Sequence, residues 1–80
     1  MTTTAESTPA PTPASQGTHH WVMTLEHPKY GSASANGTWT PPAGYTRHDA
    51  FMTIRRDLTS RNPQLESANV VFFSIERNTL

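Results

Sequence analysis

The stretch "NVVFFSIERNTL", Asn69 to Leu80, sets four large apolar residues side by side in a chain that is otherwise mostly polar. A strand with one buried face alternates apolar and polar side chains, because successive residues point to opposite faces. Here the alternation is clean only from Phe73 onward, through Ser74, Ile75 and Glu76. Carried back unbroken through the run, it assigns Val71, Phe73 and Ile75 to one face and Val70 and Phe72 to the other. The first set is the heavier and is expected to be buried. Val70 and Phe72 then need a different cover.

Upstream, His20 to Glu26 alternates in the same way, with Trp21, Met23 and Leu25 on one face and His20, Val22, Thr24 and Glu26 on the other. Period two over this length reads as a strand. Pro28 and Gly31 mark a turn. Ser32 to Thr40 follows as a plainer strand, with Ala33, Ala35, Gly37 and Trp39 in one phase, and Pro41-Pro42 ends it, because neither proline donates to a ladder. Thr46 followed three residues later by Asp49 approximates a helical capping box. Ala50, Phe51, Ile54 and Leu58 recur at helical spacing, while Arg55, Arg56 and Thr59 are expected to point to solvent. Asn62-Pro63 stops the helix. Pro63 to Asn69 reads as a connector, and Val70 to Arg77 as the last strand.

The order β-β-α-β predicts an α+β fold. A hairpin reverses the second strand, and a right-handed crossover then places the third strand beside the first, giving the order 2-1-3. Trp21, Met23 and Leu25 would lie beside Val71, Phe73 and Ile75, under Phe51, Ile54 and Leu58. One helix covers one face of a three-stranded sheet. The other face is therefore the candidate contact surface, lined by Val22, Val70 and Phe72 with His20 and Thr24 at its rim. Leaving such side chains in water forgoes about 1.5–3 kcal/mol for each large one that could be buried. A small apolar cluster on an open sheet is a common mark of an interaction surface.

Hydrophobic content is 34%, below the roughly 45–50% of ordinary globular chains. The deficit is concentrated at the start. Residues 1–18 are rich in Thr, Pro and Ala, with Pro9, Pro11 and Pro13 spaced by two. That composition reads as a disordered arm, since it cannot offset its conformational entropy by burial. It suits an inert tail or a recognition segment open to phosphorylation at Thr2, Thr3 or Thr4. Residues 19–78 then form a single small domain, in which one core is marginal without a staple or a partner.

The chain has no cysteine, which removes disulfides and thiolate metal sites. Its formal net charge is zero, so no global field draws it to nucleic acid or an anionic membrane. No apolar stretch approaches a membrane span, and a cytoplasmic location is the expectation. The Arg-dominated basic set and abundant Ala, Thr, Pro and Gly fit a GC-rich bacterial genome.

Four histidines raise the question of a metal. His19 and His20 are adjacent on a strand and point to opposite faces, and no pair has the spacing that lets ligands converge on a tetrahedral ion. No nucleophile elbow, phosphate loop or paired carboxylate appears. Neither an enzyme, a cofactor nor a metal site is expected. The second functional reading is a nucleic-acid-binding accessory protein using Arg55, Arg56 and Arg61 as phosphate contacts. Asp57 interrupts that cluster, and solvated helix charges explain it more simply.

The closing "VVFFSIERN", the capped helix before it and the opening "HHWVMTL" together resemble short uncharacterised actinobacterial proteins that end in a similar Phe-Phe-Ser strand. The resemblance spans the ordered part and implies a compact module with no assigned activity. It carries over no functional residue. The sequence thus points to a non-enzymatic binding module, acting as a homodimer or on a protein partner.

Overall fold

The computed structural model describes residues 16–80. The elements are β1 (His19–His27), β2 (Gly31–Trp39), α1 (Arg47–Arg61), a short 3-10 turn (Pro63–Leu65) and β3 (Asn69–Arg77). They form a three-stranded sheet in the order β2-β1-β3, with β1 antiparallel to both neighbours. This is the expected α+β arrangement. Of the arm expected over residues 1–18, residues 1–15 lie outside the described residues. Gln16 to Thr18, read as part of that arm, are tied to the domain. Gly17 N donates to Thr38 Oγ1 at 3.0 Å, Thr18 N to Thr40 Oγ1 at 3.1 Å, and Asn78 N to the Thr18 carbonyl at 2.8 Å.

Two glycines make the turns. Gly31 closes the hairpin opposite His27 with a φ of 84°, a region that disfavours any residue with a Cβ. The His27 ring helps to shape that turn, its Nδ1 accepting from the amides of Lys29 at 3.0 Å and Tyr30 at 3.3 Å. Gly44, at φ 87°, takes the third position of a turn closed by Tyr45 N donating to the Pro42 carbonyl at 3.2 Å. That is the position at which a type II turn needs positive φ.

The helix begins where the sequence indicated. Asp49 N donates to Thr46 Oγ1 and Thr46 N to Asp49 Oδ2, both at 3.1 Å, which completes the capping box. Two otherwise orphaned backbone donors are satisfied reciprocally. Thr46→Ala is expected to lower stability by about 0.5–2 kcal/mol in urea unfolding. At the other end Asn62 N bonds the Leu58 carbonyl at 3.0 Å, and Pro63 follows.

The core sits between α1 and one face of the sheet. Ala50, Ile54 and Leu58, spaced by four, put one helical stripe over Met23 and Leu25 of the central strand, and both of those strand residues are fully buried. Trp21, Ala35, Trp39, Phe51, Phe73 and Ile75 pack around them. The Phe51 and Phe73 rings meet edge to face at 5.3 Å, and the Arg47 guanidinium lies 4.8 Å from the Phe73 ring centroid. The connector contributes more than the sequence suggested, because Leu65 and Ala68 are both buried in the same cluster.

Arg55 is the reason that connector stays closed. It was expected to face solvent, but its Nη2 donates to the carbonyls of Glu66 at 2.7 Å and Ala68 at 3.3 Å. A guanidinium offers several donors in a fixed fork, so one side chain can hold both carbonyls. Arg55→Ala is expected to cost about 1–3 kcal/mol in urea unfolding, against about 0.5 kcal/mol or less for the exposed Arg56→Ala.

The four-residue apolar run resolves through a β-bulge. Phe72 pairs with Thr24 and Val70 with Leu25, so Val71 is an extra residue on β3 with no partner on β1. One inserted residue shifts the side-chain phase. Phe73 and Ile75 stay on the helix face, opposite Met23 and Trp21. Before the bulge the assignment exchanges: Val70 packs against the core and Val71 is exposed.

Candidate functional site: the uncovered sheet face

The face away from α1 is built in rows across the three strands. Thr38, His20 and Glu76 form one row, Asn36, Val22 and Ser74 the next, and Ser34, Thr24 and Phe72 the third. The β2 side is polar throughout, and the Thr24 and Ser34 hydroxyls bond each other at 2.7 Å. The β3 side carries the apolar surface. Phe72 is 53% exposed and the bulged Val71 55%, while Val22 on the central strand is half-buried.

Of the residues proposed from sequence, Val22, Phe72, Thr24 and His20 therefore share this face. Val70 does not. The bulge turns it inward opposite Leu25, and Val71 is the exposed valine instead. Uninterrupted alternation hid that exchange. The signal for it was present in the run itself, since four consecutive apolar residues fit a strand with one extra residue as well as one with two apolar faces. Val71 also borders a shallow depression at the β3 side, with Arg47 and Phe51 beside it.

The arginines proposed for nucleic acid differ in what they touch. Arg55 is engaged by the connector, Arg61 pairs with Asp57 at 3.3 Å one turn earlier in the helix, and Arg56 is exposed. Solvent-exposed pairs like Arg61–Asp57 contribute little to stability, but they neutralise the local field. Among the described residues no three His, Asp or Glu side chains converge as metal ligands. His27 serves its turn, His48 stacks on Phe51 with ring centroids 6.3 Å apart, and His19 Nδ1 bonds the Thr18 hydroxyl at 2.8 Å.

A groove of about 380 Å³ lies at the other side of the domain, between β2 and α1. Trp21, Gly37, Thr38 and Trp39 line it from the sheet, and Thr53, Ile54, Asp57 and Arg61 from the helix. It exists because β2 presents only Ala33, Ala35 and Gly37 between its ends and Trp39, leaving a low floor. The Trp21 ring fills part of that space over Gly37, where an added Cβ would come within 3.3 Å of the indole. No helix of the described residues is long and apolar enough to cross a membrane. No protein-family model, curated protein or solved structure matches the chain.

Proposed function

We propose that this chain is a non-enzymatic binding module that associates through the sheet face left open by α1, with a second copy of itself as the first partner to test. One observation carries the reading: the bulge turns two neighbouring large apolar side chains, Val71 and Phe72, outward together, each more than half exposed. A domain this small has little apolar surface to spare, and burying both against a partner adds to a core that is otherwise marginal. The surrounding polar rows supply a hydrated rim around that apolar centre, the anatomy of a small interface. In a two-fold pair the same patch faces itself, so Phe72 of each copy would pack near Phe72 and Val22 of the other.

Dilution of isotope-labelled protein followed by NMR tests this surface. Concentration-dependent shifts are expected at Val22, Thr24, Val71, Phe72 and Ser74, and helix residues such as Arg56 and Ser60 should stay still. Shifts confined to the helix would reject the sheet face. A protein partner with a complementary apolar patch is the alternative occupant, recognised by the same residues.

A further inference from the structure

We propose that the outer edge of β2, with the groove that opens beside it under α1, binds an extended peptide segment of a partner protein as an added antiparallel strand. The hydrogen-bond phase of the sheet shows which backbone groups are free for it. Asn78 N donates to the Thr18 carbonyl at 2.8 Å, so the peptide plane joining Thr18 to His19 turns its carbonyl to β3 and its N–H to β2. Alternation along β1 then gives His19, Trp21, Met23 and Leu25 to β2. Their partners include Gly37, Ala35 and Ala33, whose backbone groups therefore face β1. Ser32, Ser34, Asn36 and Thr38 turn theirs outward. The Thr24–Ser34 hydroxyl bond of 2.7 Å fits this phase, because side chains approach most closely in pairs that exchange no backbone bonds. Among the described residues no turn or loop backbone bond reaches those four.

The two edges of the sheet are guarded differently. Bulges, charges and covering side chains are the usual devices that keep an edge from pairing. β3 has all three: the bulge at Val71, the charged Glu76 and Arg77, and Arg47, whose Nη2 donates to the Phe73 carbonyl at 3.3 Å. That carbonyl points away from β1, so Arg47 occupies an edge acceptor. From Ser32 to Thr38, β2 has no charge and no proline, and its register with β1 is unbroken.

The groove of about 380 Å³ lies at the unguarded edge and selects the occupant. A partner residue opposite Gly37 would share its face of the sheet, the face under α1. Its side chain would enter the groove against Trp39, Ile54 and the Trp21 indole that lies over Gly37. Asp57 and Arg61 at the rim pair with each other at 3.3 Å, so the site suits a large apolar side chain rather than a charged one. Residues on either side of it would meet the polar row of Asn36 and Thr38. Backbone bonds then give affinity and the buried side chain gives selectivity, the division found in strand addition. The fitting partner is an extended segment that alternates polar and large apolar residues. A second β2 does not fit, because two-fold pairing about Ala35 sets Ala33 opposite Gly37 and leaves the groove unfilled.

The probe is a terminally blocked peptide of alternating threonine and leucine, with a lysine at each end, added at millimolar concentration to dilute full-length chain. Amide hydrogen exchange at Ser32, Ser34, Asn36 and Thr38 should slow about tenfold or more. Exchange at Ala33 and Ala35, already bonded to β1, should not change, and the indole N–H resonances of Trp21 and Trp39 should shift. Replacing the leucines of the peptide by alanine should weaken binding by about tenfold or more. Asn36→Pro removes one outward N–H without touching the ladder to β1; it should abolish the slowing while the protected Ala33 and Ala35 amides verify its fold. No slowing at millimolar peptide would overturn the proposal, as would slowing that survives Asn36→Pro or binding undiminished by alanine. Shifts at Val71 and Phe72 without the β2 amides would also overturn it. Outward amides that are slow before peptide is added would mean an occupant within the chain or a second copy, and would overturn it too. The titration should give the same result in Phe72→Asp, so its outcome is independent of association through the open face.

Discussion

Val70→Asp is expected to destabilise the domain by about 3 kcal/mol or more, enough to leave much of the chain unfolded, whereas Val71→Asp leaves it folded. The contrast follows from the single extra residue on β3. Val70 lies opposite Leu25 and packs, half-buried, against the core, so its replacement removes apolar packing and sets a carboxylate against apolar side chains. Stability of only about 3–5 kcal/mol is typical of a core this small, and such a loss consumes most of it. Val71 is 55% exposed, and a charge there stays in water at a cost of about 1 kcal/mol or less. Urea unfolding followed by circular dichroism separates the two. An uninterrupted strand would give the reverse order, with Val71→Asp the damaging change.

Phe72→Asp should leave the fold intact and weaken association by about 30-fold or more, the loss expected when an aromatic contributing about 2 kcal/mol at an interface centre is removed. Phe72 sits beside Thr24 on the open face and is 53% exposed in the single chain. Its replacement therefore removes little intramolecular packing. In an associated pair, the same position would place two carboxylates near each other across the two-fold axis, adding repulsion to lost burial. Unchanged unfolding with reduced association is the joint signature. A large fall in stability would mean that Phe72 belongs to the core.

The elements were legible because their signals are local. Trp21, Met23 and Leu25 alternate, Pro28 and Gly31 bracket the hairpin, Thr46 and Asp49 cap the helix, and Asn62-Pro63 ends it. The strand order followed from the handedness of the crossover. What escaped is tertiary. The bulge at Val71 carries no glycine or proline to announce it, and each of the four apolar neighbours suits either face. Leu65 and Ala68 belong to a turn too short to show a period. Arg55 reads as a surface residue on helical spacing, yet its partners are carbonyls 11 and 13 residues away. Of the residues read as lining the open face, Val22, Phe72, Thr24 and His20 share it, and Val71 is the exposed valine where Val70 was expected. The groove at Trp21 and Trp39 depends on how little Ala33, Ala35 and Gly37 fill, which alternation alone does not reveal.

The most direct measurement is the light-scattering mass of the full-length chain from micromolar to millimolar concentration, run beside Phe72→Asp. Association through the open sheet face predicts a mass that rises from one chain towards two in the unmodified protein and stays at one chain in the variant. A folded protein that remains at one chain throughout would contradict self-association, and an equal rise in both would contradict the surface.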